Sequence, residues 1–150
     1  MITPHERIKY HMFSPDYETF WQFIKFGIVG WTNSILYIIV FNLFIMLTNQ
    51  ETTTALIGSS LAWFVSTTNS FYLNRKFSFR NMDINWRKSI VKFYTGYIFT
   101  SLVLYSILTY VQLELLGFAP FAVSIINVLV VGPVNFFIAK YWSFASPTTK

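Results

Sequence analysis

Four cations stand at the mouths of apolar runs: Lys25, Arg75, Lys92 and Lys140. A guanidinium grips phosphate with a two-pronged fork, and an ammonium does so as a point charge. Behind these cations, within the apolar runs, lie uncharged polar side chains: Asn33, Asn69, Asn74, Asn127, Asn135 and Ser66. Cations at a mouth and amides further in suit a ligand with a phosphate and a hydroxylated head group. They equally suit a bundle oriented by its charges and glued by hydrogen bonds between helices, worth roughly 0.6 kcal/mol a pair. Other chemistry is missing. No Asp, Glu or His interrupts the apolar runs, so there is no membrane-embedded proton relay or cation site of the usual kind. That argues against a proton-coupled exporter of the small four-helix type. Both histidines, His5 and His11, lie in the N-terminal arm, and the chain has no cysteine. Without a carboxylate pair, a His cluster or a glycine-rich phosphate loop, the expectation is no metal, no cofactor and no enzymatic activity.

The elements that hold these residues are apolar helices. Of 150 residues, 54% are hydrophobic and 11% charged, with a mean hydropathy of +0.48. A soluble domain carries about 25% charged residues, so the class is an integral membrane protein. Four stretches can cross roughly 30 Å of hydrocarbon as helices. They run about Phe23–Leu47, Thr54–Leu73, Phe93–Val111 and Phe121–Ala139. The expected fold is all-α, four transmembrane helices arranged as two repeated hairpins. Residues 1–22 form a cytoplasmic or interfacial arm, 23–144 the membrane domain and 145–150 a tail. The arm ahead of the first span, "SPDYETFWQF", predicts a short interfacial helix with Ser14 as N-cap and Pro15 at its first position. No cleaved leader is expected, because the first apolar run is long and no small-residue cleavage site comes after it.

Charge gives the orientation. All eleven Lys and Arg fall in the N-terminal arm and first turn, the middle loop region or the C-terminal end. The connectors near 49–53 and 112–120 carry only Glu51 and Glu114. The positive-inside rule then places both termini and the middle loop in the cytoplasm. The net charge of +5 points to anionic membrane lipid as a partner and not to nucleic acid.

The chain reads as a duplication. "NSFYLNRKFSF" (69–79) and "NFFIAKYWSF" (135–144) align at an offset of 65: Phe71 on Phe136, Arg75 on Lys140, Ser78 on Ser143, Phe79 on Phe144. The lead-ins "FIKFGIVG" and "IVKFYTGY" align at 67, Lys25 on Lys92 and Phe26 on Phe93. Repeat one spans about 23–80 and repeat two about 90–144, each with two helices, so the repeat is parallel. At about 1.5 Å per residue, Asn69 lies about 9 Å inward of Arg75, and Asn33 about 12 Å inward of Lys25. By the same measure Asn135 and Asn127 lie about 7 and about 20 Å inward of Lys140. Gly30, Ser34, Gly96 and Thr100 are expected to be close helix contacts, and Gly132-Pro133 to kink the fourth helix.

On the residues Phe26-x-x-Val29-Gly30-x-x-Asn33, Asn69-x-Phe71…Asn74-Arg75-x-Phe77-x-Phe79, Phe93, Leu116-Gly117 and Asn135-Phe136…Lys140-Tyr141-Trp142-Ser143-Phe144, the chain resembles the GtrA-like family of small bacterial membrane proteins. Lys140 departs from the pattern by standing where the first exit has Arg75. The resemblance implies handling of polyprenyl-phosphate sugars, undecaprenyl-phosphate-linked in bacteria, moved from the inner to the outer leaflet of the cell membrane. There such sugars decorate O-antigen, teichoic acid or related wall polymers. On that reading Arg75, Lys140, Lys25 and Lys92 hold the phosphate, and Asn33, Asn69, Asn74, Asn127, Asn135 and Ser66 line the sugar's path. The alternative is a non-catalytic accessory or anchoring subunit of a membrane glycosyltransferase. A homo-oligomer is compatible with either.

Overall fold

The computed structural model describes residues 15–48, 52–80, 82 and 85–145. Ser14, Glu51, both histidines and the C-terminal tail lie outside them. Among the described residues every regular element is a helix. We label them α1 (Pro15–Leu47), α2 (Thr52–Leu73), α3 (Trp86–Leu115) and α4 (Pro120–Ser143). The chain divides after Arg80 into two compact units.

α1 runs unbroken for 33 residues, so the expected interfacial lead-in and first span are one helix. The reason is local: no Gly-Pro or turn signal separates "YETFWQF" from "IKFGIVG", and a helix once nucleated propagates at one hydrogen bond per residue. α3 starts at an Asn85 cap, whose side chain accepts from the Lys88 backbone N–H at 3.4 Å. It continues past the expected end at Val111 as far as Leu115. α4 begins with Pro120 in its first turn and carries Pro133 inside its α-helical stretch, which continues to Ile138. A proline there removes the donor for the carbonyl four residues back.

Three of the helices are long and apolar enough to cross a membrane: Tyr17–Leu47, Trp86–Leu115 and Pro120–Ser143. α2 is long enough, at 22 residues, but its many Ser and Thr dilute its hydropathy. Large apolar side chains face outward, including Trp31, Met46, Leu102 and Phe121. This is an all-helical membrane protein, its outer apolar face matched to lipid.

Each unit is an antiparallel hairpin. In the first, Phe26 meets Phe79, Asn33 meets Asn69 and Phe44 lies against Gly58, so one number falls as the other rises. Its buried apolar residues are Phe26, Val29, Ala62, Phe71 and Phe79. In the second, Phe93 meets Phe144, Thr100 meets Asn135 and Gln112 meets Asn127. Its core is Phe93, Val123, Phe136, Ala139 and Phe144. Gly58 and Gly96 set the closest approaches. A Cβ on Gly58 would stand 2.7 Å from Phe44 Cδ1, and one on Gly96 2.6 Å from Ile138 Cγ2. Gly30 has nothing within 4 Å of such a Cβ, and Ser34 is exposed. Of the four residues expected at close contacts, Gly96 and Thr100 are there, whereas Gly30 and Ser34 face outward.

The second helix of each hairpin ends in a π turn: Asn74–Ser78 in one, Ala139–Ser143 in the other. The closing bonds run five residues back, from Phe79 N–H to Asn74 O and from Phe144 N–H to Ala139 O, both 2.8 Å. α3 has two further π stretches, Phe99–Leu104 and Val111–Leu115. A π turn holds an extra residue, rotates the helix beyond it and occurs frequently at functional sites.

Candidate functional site

In the first hairpin an amide pair bridges the two helices. Asn69 Nδ2 donates to Asn33 Oδ1 at 2.9 Å, and both residues are half-buried. Asn69 reaches across because the buried face of α2, Gly58, Ala62, Ser66 and Ser70, carries small residues that bring the backbones together. Ser66 turns inward on its own helix and donates to the Trp63 carbonyl at 3.1 Å. Asn74 is also self-contained. It is 1% exposed; its Nδ2 donates to Ser70 Oγ at 3.2 Å, and its Oδ1 accepts from Ser78 Oγ at 2.8 Å. That closed triad spans the π turn and fixes the exit of the hairpin.

Next to the triad stands Arg75, half-buried and, among the described residues, without a hydrogen bond or ion pair. Phe79, four residues on, is fully buried against Phe26, the neighbour of Lys25. That contact puts Lys25 and Arg75 at the same end of this unit. Lys76 lies 5.6 Å from the Phe77 ring.

The second hairpin is also bridged by polar side chains. Thr100 Oγ1 donates to Asn135 Oδ1 at 2.7 Å. Deeper in, Gln112 Nε2 donates to Asn127 Oδ1, and Asn127 Nδ2 donates to Thr109 Oγ1, each at 2.8 Å. Asn127 is 0% exposed, so both halves of its amide are spent on α3. Phe93 against Phe144 places Lys92 and Lys140 at one end of this unit. Lys140 Nζ lies 5.5 Å from the Tyr141 ring. Glu114 falls at the opposite end, beyond Gln112.

The second exit lacks the triad. Ala139 occupies the place of Asn74, and Ser143 Oγ, at the place of Ser78, is buried with no hydrogen-bond partner among the described residues. Asn135 stands where Ser70 does and looks across to Thr100 instead.

Of the predicted residues, the structure pairs Asn33 with Asn69; Arg75 and Lys140 stand in the π turns that end their helices, whereas Lys25 and Lys92 lie past the first turns of α1 and α3. The structure joins Asn127 and Asn135 to partners whose polar role the sequence alone does not signal: Thr100, Thr109 and Gln112. Gln112 is hidden in the sequence by its place in an expected connector. The helix reaches it only because α3 runs on through a π turn.

A basic end, amides inside and an apolar outer face make a hairpin that can sit in lipid and present a basic mouth. The sequence comparison now decides the family. The model of the GtrA/DPMS transmembrane domain matches residues 25–144. The chain belongs to the GtrA/DPMS transmembrane-domain family. The match begins at Lys25 and ends at Phe144, so it takes in both hairpins with their cations. Membership ties this membrane protein to polyprenyl-phosphate sugar lipids. Among curated proteins and solved structures no match is found.

Proposed function

We propose that the chain translocates a polyprenyl-phosphate-linked sugar, undecaprenyl-phosphate-linked in a bacterial cell membrane, from the inner to the outer leaflet. The observation that carries the reading is the pairing of a basic end with half-buried amides in each hairpin of a GtrA/DPMS domain. In this reading all four helices span the membrane, with both termini and the 75–92 loop in the cytoplasm, as the Lys and Arg distribution favours. α2 tolerates lipid because its hydroxyls are satisfied internally, as with Ser60 to Leu56 O at 2.9 Å and Thr68 to Phe64 O at 2.7 Å.

The mechanism comes from the side chains. Arg75 and Lys25 on one hairpin, and Lys92 and Lys140 on the other, draw the lipid phosphate to the inner leaflet. Arg75 is the principal ligand, since among the described residues nothing engages its fork. The prenyl tail stays in hydrocarbon. The sugar's hydroxyls exchange with the half-buried bonds Asn69–Asn33 and Thr100–Asn135 as it moves. Asn74, Asn127 and Ser66 are buried and already bonded, Asn127 across to α3 and the other two within their own helix. In this reading the chain is a carrier, and flow runs down the concentration gradient.

The test is reconstitution of the purified chain alone in liposomes with a short-chain polyprenyl-phosphate sugar. The expected result is transfer across the bilayer without ATP or a proton gradient, slowed by Asn69→Leu. A second reading is favoured by exposed Arg87 and Lys88 beside Trp86 at the start of α3. There the basic patch docks a membrane glycosyltransferase and the chain is its accessory subunit. Folded protein that moves no lipid but stimulates such a partner, with stimulation lost on neutralising Arg87 and Lys88, would establish that second reading over the first.

A further inference from the structure

Away from its basic end, the second hairpin carries a groove on α3. It has a volume of about 420 Å³ and is lined by Tyr105, Ser106, Thr109, Tyr110, Leu113 and Glu114. Their spacing puts them on one face of the helix. Thr109 Oγ1 accepts from Asn127 Nδ2 at 2.8 Å. A hydroxyl that accepts still has a proton to donate. Elsewhere on these helices that proton goes to a carbonyl one turn back, as with Thr95 to Val91 O and Ser124 to Pro120 O. Among the described residues neither Thr109 nor Ser106 makes that bond. Both hydroxyls remain available to the groove, and Thr109 is held in place by the buried Asn127–Gln112 amide chain behind it.

We infer that this groove receives the sugar ring of the lipid-linked substrate after passage, a binding site distinct from the phosphate-binding mouth. The inference rests on the translocation reading. The chemistry selects the occupant. Tyr105 and Tyr110 are 40% and 61% exposed and offer rings to the apolar C–H face of a pyranose. Ser106 and Thr109 donate to sugar oxygens. The Glu114 carboxylate accepts from sugar hydroxyls, a charge-assisted bond stronger than a neutral one. A prenyl tail would leave those polar groups unpaired. A phosphate would meet a carboxylate and no cation. The volume falls in the range of small-ligand sites, about 300–1,000 Å³. Thr109 stands about 25 Å along the helix from Lys92. One head group cannot reach both, so the two sites are occupied in succession.

The experiment measures binding of two probes to the full chain in nanodiscs: citronellyl phosphate, and citronellyl phosphate carrying glucose, galactose or N-acetylglucosamine. The expected parent binds at least one sugar-bearing probe about tenfold more tightly than the bare phosphate. Ser106→Ala, Tyr110→Leu and Glu114→Gln should each cut that preference about three- to tenfold, the effect of one lost hydrogen bond or contact. They should leave bare-phosphate binding unchanged. Lys140→Ala should weaken the bare phosphate and leave the groove's hold on the sugar-bearing probe. Thr109→Val also disturbs Asn127, and the three preceding variants decide the matter should it fail to fold. If the parent binds the bare phosphate and shows no sugar preference, or if all three variants keep the preference, the groove is not the sugar site and the translocation reading stands. If neither probe binds the parent, both readings fall.

Discussion

Gly96 gives the sharpest test of how the second hairpin is built. In an isolated helix, replacing glycine by alanine stabilises by about 1 kcal/mol. Here the new Cβ would stand 2.6 Å from Ile138 Cγ2, closer than carbon atoms tolerate, with the Trp142 ring a further neighbour at 3.6 Å. Cγ2 is fixed directly to the β-carbon of Ile138, so relief requires a shift of the helix or an off-rotamer side chain. Such overpacking costs about 1–3 kcal/mol. The balance for Gly96→Ala is a net loss of about 1 kcal/mol. Ile138→Ala removes the obstructing carbon. In that background Gly96→Ala should become stabilising by about 1 kcal/mol, a coupling of about 2 kcal/mol between the two positions. The assay is reversible unfolding in mixed micelles with rising SDS, monitored by helical CD and tryptophan fluorescence. Gly30→Ala is the control, since nothing lies within 4 Å of its Cβ position. If Gly96→Ala stabilises the parent as much as it does the Ile138→Ala background, the close approach of α3 and α4 at this point is wrong.

Three further outcomes are expected. Asn127→Leu should destabilise the second hairpin by about 1–3 kcal/mol, because it leaves the buried Gln112 amide without its Asn127 partner, and the same SDS titration measures it. Arg75→Lys should weaken binding of citronellyl phosphate about tenfold by losing the fork, and Arg75→Ala further still; equal affinity in all three proteins would reduce Arg75 to a topological anchor. Single cysteines at Glu114 and Arg87 should label with membrane-impermeant maleimide only from outside and only from inside respectively, and the reverse pattern would invert the orientation and remove the inner-leaflet phosphate mouth.

The helical class and the family were legible because they rest on long-range features of the chain: scarce charge, apolar runs and motifs in a fixed order. The aromatic positions were legible too. Phe71, Phe79, Phe136 and Phe144, which the sequence aligns with one another, are all buried at 1% or less exposure. Partner choice was not legible. Asn69 and Asn135 could each have turned to lipid, to a ligand or across the hairpin. Which one they do depends on helix rotation, and each π turn changes that rotation by the angle of an added residue. The same cause hid Gln112, which composition places in a connector and the π turn at Val111–Leu115 keeps on the helix. The number of spans is blurred at α2, because Ser and Thr lower hydropathy while hiding their hydroxyls against their own backbone.

The missing triad at the second exit means that matched positions of the two hairpins answer to opposite selection. Ser78 closes a circuit: truncating it to alanine strands the buried Asn74 oxygen, at a cost of about 1–3 kcal/mol. Ser143 closes nothing, and truncating it removes a buried hydroxyl that has no partner among the described residues, a neutral or favourable change. Position 78 is therefore held by its neighbour while position 143 is free to drift, and an asparagine arriving at 139 would close that freedom again. Two hairpins whose exits align residue for residue can in this way age at different rates, the first constrained by its own wiring and the second left open to new chemistry beside Lys140.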